Sequence, residues 1–374
     1  MRTPFLCAFD EHRQNPHVSL AEHARRRHFD LTQSLSTRQA IYLDTKFWLI
    51  LRDTVLGTRV SEESQVLLAL LRRKVTCGEA FCPISETTFM ELLKQRDPRT
   101  LLATSQLIDE LSLGLSLIPF DQRVVMELSS FIHQFHPDPA PVPPPRMPWT
   151  KLSFVLGAPH PTSTGLDQAT ELVVQKAFFD HMWDQSLTEM VETLRVTNRP
   201  ASPSFDSLAS RLNLENEQHV AELRSYQHTY KLEAVGAADV FAETAASIAH
   251  AYFERATGRS QPKTEEPWRE QVRLWRIVVA RTLIHATRRS SLPTLHVNTC
   301  MHASLRWQKL EKFEANDFPD FHHAAAALVY CQAFLTERGL KARVTTKNAS
   351  LDKIYACAVA ASLPEAIDLL QQAA

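Results

Sequence analysis

Glycine is scarce in this chain, with 8 among 374 residues. The sequence has no Gly-rich phosphate loop, and neither the Walker nor the Rossmann pattern occurs. The signatures of Ser and Cys nucleophiles are also missing. The six cysteines include no Cys-x-x-Cys pair and no Cys/His spacing typical of a zinc site. These absences argue against the common nucleotide-binding and acyl-transfer classes, and they predict buried thiols in a reducing compartment.

Neither sign of charge is in excess, because 41 Lys and Arg oppose 42 Asp and Glu, for a formal net charge of −1. The overall charge therefore predicts nothing about nucleic acid, and any such site must arise from local clustering. No run of about 18 apolar residues occurs, so we expect no membrane span. The apolar segment 1–10 is too short for a signal peptide, and we expect a cytoplasmic protein.

Two parts of the chain alternate between strand-like and helix-like patterns, and a long helical region separates them. Alternation of this kind predicts an α/β fold whose sheet is parallel and covered on both faces. We therefore divide the chain into a polar helical extension, a first α/β part, a helical insertion with a proline-rich linker at 137–148, and a second α/β part. Their predicted ranges are 1–39, 40–120, 121–291 and 292–374.

The predicted strands are short apolar runs next to turn residues or acids. Two further segments are predicted to be strands. One is 328–337, which ends in Glu337, and the other is 352–359 near the end of the chain. A helix is predicted from Leu295 to Phe313. The clearest strands are 40–43, 80–84 and 115–119.

Acids stand at comparable places in both α/β parts. Asp44 directly follows the first strand, Glu91 lies in the helix after the second, Asp320 begins a helix, and Glu337 follows the next predicted strand. Because ligands of open parallel sheets bind at the carboxyl ends of strands, one site can gather all four. Grouped carboxylates require compensating cations, and hard oxygens select Mg²⁺ or Mn²⁺. Asp317 is a further candidate metal ligand.

A simpler interpretation treats these acids as helix caps. Asp317 and Asp320 lie at a helix start, where carboxylates commonly cap the backbone and favour the helix dipole. Similarly, His322 and His323 either ligate a metal, orient a carboxylate or serve a structural purpose. On this interpretation the chain is a mainly helical interaction scaffold.

The order of these motifs resembles that of PIN-like nucleases. The run 41–45, an apolar strand followed by Asp and Thr, is similar to the opening strand of that family. Glu91 resembles the second acid of the family. Asp320, followed by small residues, resembles the third, and Thr336 with Glu337 resembles the Thr-Asp end of the next strand. The resemblance covers roughly 40–120 and 292–374.

The resemblance implies a metal-dependent ribonuclease on a three-layer α/β/α sandwich with a parallel sheet, interrupted here by the helical insertion. Asp44, Asp320 and Glu337 would be the ligands of Mg²⁺ or Mn²⁺, and Glu91 would complete the site. Lys46 departs from the family, which tends to have Asn there, and Glu337 stands where Asp is usual. The residues predicted to bind RNA are Thr45, Lys46, Thr336, Arg306 and Lys309.

Lys46 also keeps an alternative open. Its ammonium group could neutralise one acid and lower the occupancy of a metal. The chain would then be a catalytically silent PIN-like domain that binds RNA, or a protein partner through the helical insertion.

Overall fold

A computed structural model describes residues 4–135, 146–196, 204–220, 223–259, 263–308 and 311–372. The fold is mixed α/β and mostly helical, with a small parallel sheet. The strands of the described part are β1 Gln39–Leu43, β2 Ala80–Phe81, β3 Leu115–Leu117, β4 Trp149–Lys151, β5 Ala333–Leu335 and β6 Ala358–Ala360.

The helices fall into three stretches of the chain. Before β4 they are α1 Pro4–Gln14, α2 Leu20–Ser34, α3 Thr45–Leu56, α4 Glu62–Thr76, α5 Glu86–Leu92, α6 Pro98–Ser112 and α7 Phe120–His133. Between β4 and β5 they are α8 Gln168–Trp183, α9 Leu187–Val196, α10 Asp206–Gln218, α11 Tyr226–Thr257, α12 Glu265–Ile284, α13 Pro293–Trp307 and α14 Asp317–Tyr330. The remainder are α15 Arg338–Thr345, α16 Leu351–Ile354 and α17 Leu363–Gln372.

The parallel sheet has the strand order β2-β1-β5-β6. Strand β1 is central, and it pairs with β5 although almost three hundred residues separate them in sequence. The prediction of a parallel sheet assembled from both α/β parts is therefore confirmed.

Both faces of this sheet are buried. Ala40 and Tyr42 of β1 point into one apolar core, while Ile41 and Leu43 point into a second. Because successive side chains of a strand face opposite sides, helices must cover the sheet on both faces. The first core contains side chains from α7, α11, α12, α13 and α14. The second contains side chains from α3, α4, α5, α6, α9 and α17.

Four of the cysteines are buried free thiols in the described structure, and the sequence predicted such buried thiols. None of the described helices combines the length and the apolar content that a membrane crossing requires. Most of the proline-rich linker predicted at 137–148 lies outside the described residues.

The predicted strand 328–337 is mostly wrong. Residues Leu328 to Tyr330 continue helix α14, and only Ala333–Leu335 is strand. The four alanines of α14 and Leu328 are fully buried. A helix that is apolar on nearly all sides shows no 3.6-residue periodicity, so its sequence cannot be distinguished from a buried strand.

Three other predicted elements also differ from the structure. Strand β3 forms a separate antiparallel pair with β4, which was not predicted, and a single parallel bridge from Ser116 to Ile84 connects it to the predicted strand 80–84. The segment 352–359 is strand only at its end, since α16 and a left-handed turn at Ala356 precede β6. The helix expected to reach Phe313 ends at Trp307.

Candidate active site

An acidic cavity of about 630 Å³ lies at the carboxyl ends of β1 and β5. Asp44 follows β1 directly, and Thr336 and Glu337 follow β5. The sheet thus positions acids from both α/β parts at one edge, as the sequence predicted. The lining residues include all four acids proposed as catalytic: Asp44, Glu91, Asp320 and Glu337.

Asp44 has two roles in the ligand-free protein. It is buried, and its carboxylate accepts a hydrogen bond from the Phe47 backbone N–H at 3.2 Å as the N-cap of α3. Burial raises the pKa of the Asp44 carboxyl, although His323, Thr336 and the Phe47 amide act in the opposite direction. The helix-cap interpretation is therefore correct for Asp44, but this residue also lines the cavity.

Glu91 reaches the cavity from α5 and is held by two partners. The Thr45 hydroxyl donates a hydrogen bond to Glu91 Oε2, and His323 Nε2 lies 3.1 Å from the same oxygen. Burial disfavours the charged carboxylate, but these partners outweigh it and lower the pKa of Glu91. Glu91 is thus an anion with a fixed orientation.

His323 lies beneath the acids and is completely enclosed. Its Nδ1 lies 2.7 Å from the Tyr42 hydroxyl, which is also 2.6 Å from the Ser85 hydroxyl. Burial lowers the pKa of the ring, but Glu91, Asp44 and Asp320 together outweigh burial and raise it. The neighbouring carboxylates therefore favour the protonated form of His323, a role that the sequence left open.

Asp320 also has a strongly altered ionisation. Burial raises its pKa to about 7, and the negative charges of Glu337, Asp44 and Glu91 add to that effect, whereas His323 opposes it. This repulsion is expected for carboxylates that line the same cavity.

Basic side chains form a rim around the acids. Lys46, Arg52 and Arg59 line the same cavity from α3 and the loop after it. Arg52 is committed to an ion pair with Asp53 at 2.6 Å, while Lys46 and Arg59 are free of such pairing within the described structure. Sequence reasoning found Lys46 but missed both arginines, which have no motif and reach the cavity only through the folding of α3.

The remaining predicted residues lie elsewhere or outside the described chain. Asp317 does not line the cavity. It is buried, and its carboxylate accepts a hydrogen bond from Arg343 Nη1 at 2.6 Å, so it is paired with this arginine. Arg306 pairs with Glu233 and contacts Asn216, and it does not line the cavity. Lys309 is outside the described residues. Neither Asp317 nor Arg306 therefore occupies the position that its predicted role requires.

The chemical type of the cavity's ligand atoms suits a hard divalent cation. Its carboxylates are oxygen ligands, and the fully buried Thr336 hydroxyl faces Asp44 without a hydrogen bond of good geometry. No three acids of the cavity bring ligand atoms within 4.8 Å of one another; among the described residues only His12, His23 and Asp180 do so. Binding an ion would therefore draw the acids inward.

We expect Asp320→Asn to stabilise the metal-free protein at alkaline pH. The pKa of Asp320 is about 7 in the folded state and near 3.8 when unfolded, so its contribution to stability is lost as pH rises through 7. A difference of about three pKa units corresponds to roughly 2–4 kcal/mol of unfolding free energy at pH 8. Urea unfolding of wild type and Asp320→Asn in chelator, at pH 5 and at pH 8, measures this difference in unfolding free energy.

Glu337→Gln is the matched control, because Glu337 lines the same cavity but is exposed to solvent. Its unfolding free energy should rise by less than that of Asp320→Asn at pH 8, because Glu337 is only one of three carboxylates that repel Asp320. Equal stabilisation by both substitutions, or a gain for Asp320→Asn that does not depend on pH, would contradict the electrostatic account of this cavity.

Comparison with protein-family models, with curated proteins and with solved structures finds no match.

Proposed function

We propose that this protein is a PIN-like, metal-dependent nuclease that hydrolyses phosphodiester bonds in RNA. The observation that carries the proposal is the shared cavity at the carboxyl ends of β1 and β5, with four acids inside and basic residues around it. On this proposal the two-sided sheet is the centre of a PIN-like three-layer α/β/α sandwich, and the long helical segment is an insertion into it.

Asp44, Asp320 and Glu337 would hold Mg²⁺ or Mn²⁺, and Glu91 would complete the site. When bound, such an ion activates the attacking water and stabilises the leaving oxygen. The chain's own groups prepare this arrangement. Thr45 and His323 orient Glu91, and the Phe47 amide fixes Asp44. Because ligands must be deprotonated, Asp320 gives up a proton on binding, and affinity for the ion should rise with pH through about 7.

The rim supplies the contacts that an RNA backbone needs. Lys46 and Arg59 have no acidic partner in the described structure and border the acids, so they can bind phosphates on either side of the scissile bond. These residues replace Arg306, which is already paired with Glu233. The basic residues of α12 are also engaged, since Arg269 and Arg273 pair with glutamates of their own helix.

The catalytically silent alternative has one observation in its favour. The carboxylates of the cavity favour a protonated His323, which lies 3.1 Å from Glu91, and Lys46 adds positive charge to the same cavity. A site neutralised in this way could bind RNA without cleaving it. The chain could also bind a protein through 121–291. Only the nuclease should cleave RNA in the presence of a metal ion, so a cleavage assay distinguishes the two functions.

The test is cleavage of labelled single-stranded RNA by the wild-type chain in Mn²⁺, Mg²⁺ or chelator. We expect cleavage with either ion and none with chelator, because the carboxylates alone cannot activate water. A single-stranded DNA of the same sequence reports the choice between RNA and DNA. Cleavage that survives chelator would contradict the proposal, whereas RNA binding without cleavage would favour the silent alternative.

A further inference from the structure

A second cluster of metal-ligating side chains lies outside the acidic cavity, where the N-terminal helices meet α8. His12 of α1, His23 of α2 and Asp180 of α8 bring one ligand atom each within 4.8 Å of the others. The Nε2 atom of His12 is 2.6 Å from Asp180 Oδ2, and that of His23 is 2.8 Å from Asp180 Oδ1. Three helices from two distant parts of the chain thus converge on one carboxylate.

We propose that His12, His23 and Asp180 form a binding site for Zn²⁺ or a similar transition-metal ion that joins α1 and α2 to α8. Two imidazoles and one carboxylate are a common zinc ligand set, with water as the fourth ligand. Imidazole nitrogen also discriminates against Mg²⁺, which prefers oxygen ligands. The site is therefore distinct from the acidic cavity in both position and metal preference.

The present geometry requires only a small adjustment. Zn²⁺ binds nitrogen and carboxylate oxygen at about 2.0–2.2 Å, so neighbouring ligand atoms in a tetrahedral site are about 3.3 Å apart. If Asp180 Oδ2 binds the ion, His12 Nε2 would move away from that oxygen by roughly 0.7 Å, and His23 Nε2 would turn from Oδ1 towards the same ion. Side-chain rotation can supply this, because His23 and Asp180 are only partly buried.

Neighbouring groups support the ligands. Arg27 Nε lies 3.6 Å from Asp180 Oδ1, and its guanidinium stacks over Trp183. If one oxygen of Asp180 binds the ion, the other can remain paired with Arg27, an arrangement in which an outer partner orients a metal ligand. The His23 ring packs edge-on against Phe179.

The test is titration of chelator-treated protein with ZnCl₂ by calorimetry, followed by CoCl₂ with visible spectroscopy. Wild type should bind one equivalent of Zn²⁺ at this site. His23→Asn and Asp180→Asn should each weaken binding by more than about 100-fold, since losing even an outer-shell partner costs about 10- to 100-fold. Circular dichroism checks that each variant is folded.

His17→Asn is the matched control, because His17 is exposed in the turn between α1 and α2. It should bind Zn²⁺ as wild type does, and so should Asp320→Asn, which alters only the acidic cavity. The Co²⁺ spectrum reports on the wild-type protein itself, so the test does not depend on variants that fold. No Zn²⁺ uptake, an octahedral Co²⁺ spectrum, or unchanged affinity in both His23→Asn and Asp180→Asn would overturn the proposal.

Discussion

Asp44→Asn and Asp320→Asn should each reduce the rate of RNA cleavage by on the order of 10²-fold or more, which corresponds to about 3 kcal/mol in the activation barrier. Each substitution removes a charged ligand of the proposed ion while keeping the size of the side chain. RNA binding should weaken much less, because the phosphate contacts come from the basic rim. Single-turnover cleavage of labelled RNA in Mn²⁺, with binding measured in parallel, separates the two effects.

The chain offers a close control for Asp44. Asp97 is also a helix N-cap, accepting hydrogen bonds from the Arg99 and Thr100 amides, but it does not line the cavity. Asn caps a helix about as well as Asp, so Asp44→Asn and Asp97→Asn should both keep their helix caps. Only the first should lose cleavage. Cleavage at the wild-type rate in both cavity variants would exclude these acids from the reaction.

His323→Gln should lower the unfolding free energy of the metal-free protein by about 3–5 kcal/mol at pH 6. Removing one partner from a buried ion pair leaves the other charge uncompensated, which is among the largest effects of a single substitution. The raised pKa of His323 means that its contribution is fully present below pH 6.5 and is lost as pH rises through the folded-state value. Urea unfolding of wild type and His323→Gln in chelator, from pH 5.5 to pH 9, measures the size of this loss and its change with pH.

The adjacent His322→Gln provides the comparison. His322 is partly exposed, and its Nδ1 is 3.8 Å from Glu86, so we expect a loss below about 1 kcal/mol. Mn²⁺ should restore more stability to His323→Gln than to wild type, because the ion supplies the missing positive charge. Equal losses at both histidines would show that His323 stabilises the fold by packing alone.

The sequence predicted the part of the fold that depends on short-range patterns. Asp44 directly follows the apolar run of β1, Glu337 follows β5, and Asp320 lies in the first turn of α14, so the parallel sheet and its acidic edge were predictable. Prediction failed where burial on all sides removed the periodicity, as in α14. It also failed for β4 and for the pairing of β3 with it, because that pairing depends on contacts between 115–117 and 149–151.

By itself, then, the sequence determined which acids stand at the carboxyl ends of the strands, because strand ends and turn residues are local properties of the chain. Only the tertiary structure decided which cations meet them: Arg343 binds Asp317, whereas His323 meets Glu91 from 232 residues away. It also brought His12 to Asp180 across 168 residues. Contacts over such separations depend on how helices pack onto the sheet, which no local pattern of residues encodes.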